Sequence, residues 1–580
     1  MSSNYEKHPY VLVSSDPGDC DVGWEAIAQR LRSHTSASKA DICVECYPGV
    51  FAGDIEQSLR NCFPAAEIVR TSDYLKPPSQ IDSMVACDLS EDPVFGRLST
   101  LNLADFFFLE ELRQLANHRS DDRVRFIVGS GAVLAAPDWD LLVYADLARW
   151  EIQQRQRRRE VSSFGSDDRD ASPGEKYKRA FFVDWRVADR LKKQLLAKID
   201  FLLETTKPEE PKMISGDLFR RALVETTKRP FRVQPFFDPG PWGGQWMREV
   251  CDLPDGPANY AWCFDCVPEE NSLLFGFGSQ RIEVPAIDLV FSHPRELLGD
   301  FVYSRFGTEF PIRFDFLDTM QGGNLSLQVH PLTEYIQRHF GMHYTQDESY
   351  YLLDAAEGAC VYLGLREGVD RDAMIRDLRI AQNGGAFFPA ENYVNRWPAR
   401  KHDHFLIPAG TVHCSGRNSL VLEISATPYI FTFKLWDWGR LGLDGRPRPI
   451  HLDHGISNIQ WDRTTEWVAR ELVNRVQTVA EGPGWREERT GLHEREFIET
   501  RRHWFTGSVL HDTAGCVNVL NLVQGDEVLV ESPTGKFDPV VVHYAETFIV
   551  PAAVGEYRVR PSFEPSKPLA TVKAFVRSES

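Results

Sequence analysis

The hydrophobic pattern changes near residue 230, and this change limits what the chain can fold into. Before about residue 200, continuous apolar runs such as YVLVSS, RFIVGSGAVLA and LLVYADL alternate with helical stretches. Such runs indicate strands buried on both faces of a largely parallel sheet. After residue 230, Gly, Pro and aromatic residues are frequent and the strands are short, as in a β-sandwich or barrel. The pattern predicts a multidomain protein with an α/β part followed by all-β parts.

The domain boundaries are predicted from a linker-like segment and a repeated pattern. TTKPEEPKM, at 205–213, has the composition of an interdomain linker. HFLIPAGTVH at 404–413 and TFIVPAAVGEY at 547–557 are similar strand–turn–strand segments and suggest two related β domains. The predicted organisation is an α/β domain over 1–204, a linker over 205–229, a β domain over 230–460, and a helix followed by a second β domain over 461–580.

Composition excludes several classes of partner. The formal net charge of −19 argues against nucleic acid and against an anionic membrane surface, because both usually require a basic face. The beginning, MSSNYEKHPY, contains no apolar run, and no stretch approaches 18 apolar residues. Eleven scattered cysteines, an odd number, indicate a reducing compartment, so the expected location is the cytoplasm.

Four polar residues carry the pattern of a metal site. Gln328 and His330 lie two positions apart on a predicted strand and therefore share a face. Glu348 heads a later apolar run, and His413 follows a Pro-x-Gly turn. A single histidine on a strand is more often a hydrogen-bonded core residue than a metal ligand. The order Gly-x5-Gln-x-His, then Glu, then Pro-x-Gly-x2-His, is similar to the two halves of a cupin metal site. Two imidazoles, a carboxylate and an amide oxygen suit one Zn²⁺ per chain, with Mn²⁺, Fe²⁺ or Co²⁺ as alternatives.

Longer segments resemble the type I mannose-6-phosphate isomerases. The resemblance covers about residues 230–455 and is carried by DPGPWGGQW, FPIRFDFLDTMQGGNLSLQVHP, FLIPAGTVHC and VLEIS…FKLWDWGR. It implies an RmlC-like jelly-roll (cupin) fold, with zinc bound by Gln328, His330, Glu348 and His413. It also implies interconversion of mannose 6-phosphate and fructose 6-phosphate through a cis-enediol.

The same resemblance implies three catalytic residues. Glu423 falls on the glutamate of the family's VLEIQ stretch and is the candidate for moving the proton between C2 and C1. Lys434 falls where the family has an arginine and would stabilise the enediolate oxygen. Arg440 matches the arginine that closes this stretch. The alternatives are structural: Glu423 orienting His413 or a lysine, and Lys434 forming a salt bridge with Asp437.

Three departures from the family leave the substrate open. Two family lysines are replaced by Asp315 and Gln346, and the arginine has become Lys434. Arg and Lys are not equivalent where a planar, bidentate clamp is needed. Six other cations lie in the matching region and are candidate replacements: Arg305, Arg313, Arg396, Lys401, Arg446 and Arg448.

The N-terminal domain resembles a degenerate P-loop domain of the uridine kinase type. DICVECYPGVFAGDIEQSLR has the strand–loop–helix layout, but it lacks the Lys and Ser/Thr that grip phosphates and magnesium. We therefore expect a module that does not transfer phosphate. For the whole chain, the predicted partner is a small sugar or sugar phosphate, and the oligomeric state is left open. The alternatives are an isomerase or epimerase of another sugar, phosphorylated or unphosphorylated, and a non-catalytic metal-binding cupin regulator.

Overall fold

The computed structural model describes residues 3–34, 40–117, 123–491, 493 and 495–578. The chain forms two compact units, here called the α/β unit (residues 10–226 and 269–293) and the β unit (residues 1–9, 227–268 and 294–580). The chain contains both α-helices and β-strands and divides into two units, so the predicted multidomain, mixed architecture is confirmed. Among the described residues, no helix combines the length and the apolar character needed to cross a membrane.

Strands and α-helices of the described residues are numbered along the chain. The first strands are β1 (Tyr10–Leu12), β2 (Cys20–Val22), β3 (Ala40–Cys46), β4 (Glu67–Arg70), β5 (Val124–Gly129), β6 (Leu141–Asp146), β7 (Phe201–Glu204), β8 (Lys212–Ser215), β9 (Phe236–Asp238), β10 (Trp262–Cys266), β11 (Ser272–Phe277) and β12 (Gln280–Pro285). They are followed by β13 (Ile312–Asp318), β14 (Leu327–Val329), β15 (Glu348–Ala355), β16 (Cys360–Leu365), β17 (Val394–Pro398), β18 (His404–Ile407), β19 (His413–Ser415), β20 (Ser419–Ala426), β21 (Phe433–Trp436), β22 (Gln477–Gly482), β23 (Trp485–Gly491), β24 (Ile498–Phe505), β25 (Val509–Asp512), β26 (Asn518–Gln524), β27 (Glu527–Glu531), β28 (Val540–His543), β29 (Thr547–Val550), β30 (Glu556–Pro561) and β31 (Leu569–Val576). The helices are α1 (Gly23–His34), α2 (Ala52–Cys62), α3 (Pro78–Leu89), α4 (Leu109–Asn117), α5 (Ala132–Ala135), α6 (Arg149–Arg157), α7 (Pro173–Arg179), α8 (Trp185–Leu195), α9 (Gly216–Thr226), α10 (Trp246–Val250), α11 (Ile287–Ser292), α12 (Pro294–Leu298), α13 (Asp300–Phe306), α14 (Thr333–Phe340), α15 (Arg371–Gln382), α16 (Ala390–Tyr393), α17 (Leu452–Asn458) and α18 (Thr465–Glu471).

The α/β unit is built on a seven-stranded sheet with the order β2-β8-β7-β6-β3-β5-β4. Its five strands from β7 to β4 run parallel, and β8 and β2 join antiparallel at one edge. Every residue of β3 and β6 is buried, as expected for strands covered on both faces. The runs RFIVGSGAVLA and LLVYADL therefore predicted strands of this sheet correctly. The prediction is wrong for YVLVSS, which contains β1: this strand pairs with β11 in a separate three-stranded sheet and leaves Tyr10 and Leu12 exposed.

Two segments differ from the predicted organisation. Residues 205–229, predicted as a linker, contain β8 and α9, because β8 pairs with β7 along its whole length. Residues 269–293, predicted to lie in the first β domain, form part of the α/β unit. Here β11 pairs in parallel with β1 and forms a hairpin with β12. In both cases strand pairing, of β8 with β7 and of β11 with β1, decides where the segment belongs, and local composition does not reveal it.

The same returning segment supplies a buried charge to the α/β unit. Lys192 Nζ lies 2.6 Å from a carboxylate oxygen of both Asp146 and Asp288, and all three side chains are almost inaccessible to solvent. Replacing Lys192 with Met leaves two buried carboxylates without their cation, and we expect it to lower the free energy of unfolding by about 3–5 kcal/mol. Urea denaturation measures this loss. The exposed Lys198→Met control should change stability by less than about 0.5 kcal/mol. Equal effects for the two variants would contradict a stabilising role of the ion triad.

The first part of the β unit consists of two antiparallel sheets. One sheet has the order β18-β15-β20-β13-β10-β9, and the other has the order β17-β16-β19-β14-β21. Side chains of the two sheets meet between them, because His413 of β19 contacts Glu348 of β15. This arrangement is consistent with the predicted cupin-like fold, and it places every predicted metal ligand in the space between two sheets.

The C-terminal part of the β unit is a second β-sandwich. Its sheets have the orders β22-β23-β24-β31-β26-β29 and β25-β30-β27-β28. A single apolar cluster joins them, with Phe505 and Phe548 from the first sheet packing with Val530 and Tyr557 from the second. The predicted second β domain is thus present as two packed sheets, within the same compact unit as the first.

Candidate metal centre and active site

Strand pairing brings the predicted ligands together from three places in the chain. Gln328 of β14 lies directly opposite His413 of β19, and His330 immediately follows β14. Glu348, the first residue of β15, reaches across from the other sheet. All four side chains are buried, with exposures of 6% or less. The order of residues that suggested a metal site therefore corresponds to one place in the structure.

The candidate ligand atoms of His330, Glu348 and His413 lie close together. His413 Nε2 lies 2.8 Å from Glu348 Oε1, and His330 Nε2 lies 3.1 Å from Glu348 Oε2. Potential ligand atoms of the three residues all lie within 4.8 Å of one another. The side-chain amide of Gln328 joins them, with its Nε2 3.3 Å from His413 Nε2. A half-turn of that amide presents its oxygen, which is the atom that binds metals.

Backbone carbonyls orient both imidazoles for metal binding. Nδ1 of His330 lies 3.2 Å from the Phe431 carbonyl oxygen, and Nδ1 of His413 lies 2.8 Å from that of Thr411. A proton on each Nδ1 leaves the Nε2 lone pair directed at the Glu348 carboxylate. The nitrogen lone pairs and the carboxylate oxygens repel each other unless a positive charge lies between them. The donor set therefore fits a divalent cation bound by His330, Glu348, His413 and Gln328.

Charge shapes the ionisation of the central carboxylate. Burial raises the pKa of Glu348, whereas positive charge at His330 and His413 outweighs burial and holds that pKa well below the usual range. A cation held by neutral imidazoles would supply the same positive charge. Gln346 donates from Nε2 to Glu348 Oε2 over 2.8 Å. The carboxylate is therefore held ionised and in a fixed orientation, as a metal ligand requires.

Glu423, the predicted proton carrier, lies in the row next to the ligands. It sits on β20 between Asp315 of β13 and Tyr350 of β15. Its Oε1 accepts a hydrogen bond from the Arg313 guanidinium and lies 3.3 Å from Gln346 Nε2. Burial and then the Glu348 carboxylate raise the pKa of Glu423, while Arg313 acts in the opposite direction. Glu423 is thus a buried carboxylate beside the ligand cluster, and its pKa is raised by burial and by Glu348 against the opposing effect of an arginine.

Asp315 and Gln346 occupy the two positions at which the similar isomerases have lysines, and both lie beside Glu423. Asp315 Oδ2 lies 3.1 Å from Arg313 Nε, and Gln346 contacts the carboxylates of both Glu348 and Glu423. The positive charge next to the two glutamates therefore comes from Arg313, which is 5% exposed. In the sequence, Arg313 is only one of six candidate cations. Strand register, which spacing does not reveal, brings it to Glu423.

Lys434 and Arg440 occupy different surroundings. Lys434 of β21 lies opposite Gln328 across the sheet, and burial followed by Arg448 lowers its pKa to about 7. Arg440 donates from Nε and Nη2 to Asp437 and from Nη1 to the Asn324 carbonyl. Arg448 binds the other oxygen of Asp437 over 3.0 Å. The arginines, and not Lys434, thus form the ion pairs of Asp437 among the described residues.

The remaining candidate cations lie elsewhere. The Arg305 guanidinium stacks over Phe497 at 4.9 Å, and Lys401 Nζ lies 5.2 Å from the centre of the Tyr544 ring. Arg396 donates to the Gly358 carbonyl. Tyr350, which sequence analysis did not single out, is fully buried beside His413, with a ring separation of 5.8 Å. Its position two residues after Glu348 on one strand was the available signal.

Fold and site together define a candidate metal centre between the sheets of an antiparallel β-sandwich, with a second carboxylate next to the ligands. The family described as "Domain of unknown function (DUF8485)" matches residues 23–228, of which 23–226 belong to the α/β unit.

The chain is similar to known isomerases. The chain is 25% identical over 240 residues to mannose-6-phosphate isomerase ManA of Bacillus subtilis, covering 40% of this chain and 69% of that protein. It is 26% identical over 217 residues to mannose-6-phosphate isomerase of Streptococcus mutans, covering 37% of this chain and 63% of that protein. The chain thus spans about two thirds of these relatives. They support the prediction of an enzyme of the isomerase class.

Solved structures of similar proteins were also found. Mannose 6-phosphate isomerase from Bacillus subtilis aligns with 60% of this chain and 99% of its own, with a TM-score of 0.48 and 17% identity. A putative mannosephosphate isomerase from Archaeoglobus fulgidus covers 60% of this chain and 98% of its own, with a TM-score of 0.45 and 17% identity.

Proposed function

We propose that the protein is a metal-dependent aldose–ketose isomerase that interconverts mannose 6-phosphate and fructose 6-phosphate through a cis-enediol. The observation that carries this proposal is the position of Glu423. It is a buried carboxylate linked through Gln346 to Glu348, the carboxylate of the ligand cluster. The reaction needs a metal centre, which polarises the sugar oxygens, and a separate base such as Glu423, which moves a proton between adjacent carbons. The named isomerase relatives support the same reaction.

Zinc is the proposed cation, one per chain, held by Gln328, His330, Glu348 and His413. Two imidazole nitrogens with one carboxylate and one amide oxygen suit this borderline ion, and Mn²⁺ or Co²⁺ would also fit. When bound, the cation supplies Lewis acidity to the carbonyl and hydroxyl oxygens at C1 and C2 of the sugar. Protein prepared without chelator should contain about one equivalent of metal by elemental analysis. Protein without stoichiometric metal would contradict the proposal.

Glu423 takes the proton from C2 and returns it to C1. Arg313 holds the carboxylate in place from one side, and Asp315 holds Arg313 in turn. A base fixed by an ion pair keeps its orientation without a large reorganisation during the reaction. We propose that Arg313 is a positioning residue, which acts through Glu423.

Lys434 is proposed to stabilise negative charge on the sugar oxygen. Arg440 is committed to Asp437 and the Asn324 carbonyl, so its predicted catalytic role is proposed to be indirect. It would hold Asp437 and thereby Arg448, the cation next to Lys434.

Replacing Lys434 with Met tests this role. We expect turnover to fall by about 10–100-fold with less effect on KM, because the charge is needed mainly in the transition state. Steady-state kinetics with mannose 6-phosphate separate the two parameters. The matched control is Lys401→Met, a partly buried lysine beside Tyr544, which should leave both unchanged. A large rise in KM with normal turnover would instead assign Lys434 to substrate binding.

Another sugar is the second candidate substrate. Asp315 and Gln346 replace the family lysines and are engaged with Arg313 and the two glutamates, and Asp437 is bound to both nearby arginines. With these groups already engaged, the site favours isomerisation or epimerisation of an unphosphorylated sugar, or of a sugar whose phosphate is held away from Arg313 and Asp437. A metal-binding regulator without turnover is the third possibility retained from the sequence.

A single assay series distinguishes these functions. A panel of free hexoses and hexose phosphates is incubated with the full chain, with and without chelator, and products are resolved chromatographically. The proposal expects chelator-sensitive interconversion of mannose 6-phosphate and fructose 6-phosphate. Turnover of an unphosphorylated sugar alone would establish the second candidate, and no turnover of any sugar by metal-loaded protein would overturn the enzymatic proposal.

The α/β unit is proposed to be a degenerate module of the nucleotide-kinase type. Its parallel sheet and the strand–loop–helix from β3 to α2 support this reading. The loop, Tyr47–Phe51, contains neither Lys nor Ser/Thr. We expect no ATP hydrolysis by the full chain, and release of phosphate above a no-enzyme blank would contradict this. All eleven cysteines are free thiols, in keeping with the proposed cytoplasmic location.

A further inference from the structure

The α/β unit contains a cavity that the isomerase proposal does not use. Its volume is about 790 Å³, and its floor is formed by the ends of β3, β4 and β5 at Cys46, Arg70 and Gly129. After β3, the strands β4 and β5 lie on one side of it in the sheet, whereas β6 and β7 lie on its other side. The cavity therefore lies at the carboxyl ends of parallel strands where the strand order reverses, the position at which α/β sheets bind ligands.

The first wall of the cavity is held rigid by a buried arginine. Arg155 donates to the carbonyl oxygens of Gly49 and Thr205 over 2.9 and 2.7 Å, and its guanidinium stacks over Phe51 at 4.0 Å. Gly49 has φ +105, which favours glycine, and an added Cβ would lie 3.0 Å from Ile152. The loop after β3 is thus fixed in one shape, so the cavity does not have to form around a ligand.

The opposite wall is fixed by an ion pair. Asp184 accepts a hydrogen bond from the Phe164 amide over 2.9 Å, and its other oxygen lies 2.9 Å from Arg179 Nε. Arg179 also donates to the Phe164 carbonyl. Between α7 and α8 the helix widens into a π-turn, Ala180–Asp184, and both end residues of that turn line the cavity. Such turns are frequent at functional sites.

The charges that line the cavity favour an anion. Its three carboxylates are neutralised within the protein, since Glu56 binds Arg70, Glu160 binds Arg158, and Asp184 binds Arg179. Two lining cations, Lys76 and Arg169, form no ion pair with a carboxylate among the residues that the structure describes. Lys76 is oriented by the Asp105 carbonyl, 2.6 Å from its Nζ. Excess positive charge therefore remains for a ligand.

The rest of the lining suits a hydroxylated ring. Three serines, Ser72, Ser130 and Ser162, and the aromatic residues Phe108 and Phe164 also line the cavity. We propose that the cavity binds a phosphate monoester of a hydroxylated ring compound, the class that comprises sugar phosphates and nucleoside monophosphates, without transferring its phosphate. This site goes beyond the proposed isomerase activity, which belongs to the β unit.

Calorimetric titration of the full chain tests the proposal. Fructose 6-phosphate and uridine monophosphate are the two phosphorylated probes, and fructose and uridine are their unphosphorylated counterparts. At least one phosphorylated probe should bind with a Kd of about 1 mM or tighter. A response to fructose 6-phosphate identifies a sugar-phosphate site, and a response to uridine monophosphate identifies a nucleotide site.

Variants locate the binding. Removing both unneutralised charges with Lys76→Gln/Arg169→Gln should weaken this binding by about 10-fold or more. Filling the cavity with Ser162→Trp should abolish it. The matched control, Arg157→Gln/Lys198→Gln, removes two exposed charges that do not line the cavity and should leave Kd unchanged. Fructose 6-phosphate bound at the metal centre would be unaffected by all of these changes, so only the variant-sensitive component counts.

Three results would overturn the proposal: no variant-sensitive binding of either phosphorylated probe, equal binding of the unphosphorylated counterparts, or an equal loss in the control variant. Near-ultraviolet circular dichroism of each variant identifies any that fails to fold, and Lys76→Gln and Arg169→Gln are then tested singly.

Discussion

Replacing His413 with Ala is expected to abolish metal binding and isomerase activity together. His413 contributes Nε2 at 2.8 Å from Glu348 Oε1, and its Nδ1 is fixed by the Thr411 carbonyl. Losing one of two imidazoles leaves a ligand set too weak to retain the cation against water. Lewis-acid stabilisation amounts to several kcal/mol, so activity should fall by roughly 1,000-fold or more. Elemental analysis and the isomerase assay measure the two losses in one preparation.

A buried histidine outside the ligand cluster provides the control. His404 of β18 is fully buried and packs against Tyr351, with ring centres 5.6 Å apart. His404→Ala removes a similar volume from the same sheet sandwich and should keep the metal. His413→Leu fills most of the space vacated by His413, so that loss of metal there reports ligation and not misfolding. Full metal content in His413→Leu would show that His413 is not a ligand.

Replacing Glu423 with Gln is expected to lower turnover by about 100-fold or more while metal content stays at the wild-type level. Glutamine keeps the shape of the side chain and can still accept a hydrogen bond from Arg313, but it does not carry a proton between carbons. The two readouts separate a role in proton transfer from a role in metal binding, because Glu423 lies beside Glu348 and is also linked to it through Gln346.

The outcome for Glu423→Gln is judged against another buried carboxylate of the β unit. Glu488 pairs with Arg502 in the C-terminal sandwich and is 5% exposed, so Glu488→Gln tests the general cost of neutralising such a pair. Near-full turnover in Glu423→Gln would assign the proton transfer to another group. Loss of metal together with turnover would instead make Glu423 part of the metal site.

The contacts of Arg313 bear on how a substrate phosphate would be held. Two family lysines are absent, yet the guanidinium of Arg313 lies between Asp315 and Glu423. An arginine engaged by two carboxylates is poorly placed to hold a phosphate dianion as well. The positive charge of Arg313 therefore neutralises the proposed base, and the phosphate of the proposed substrate would have to be held by other donors.

Local spacing determined much of the metal site and of the α/β unit. Because side chains alternate along a strand, the interval of two between Gln328 and His330 places both on one face. The Pro-x-Gly turn before His413 marks the start of β19. Continuous apolar runs identified the buried strands β3 and β6 without any long-range information.

Tertiary structure alone decided which residues accompany that site and where the units divide. Arg313 and Glu423 are 110 positions apart and meet through the register of β13 on β20. Residues 269–293 join the α/β unit because β11 pairs with β1 and Asp288 neutralises Lys192. A spacing rule acts within one strand, whereas register and buried charge neutralisation depend on segments far apart in sequence. Only the folded chain brings such segments within hydrogen-bonding distance.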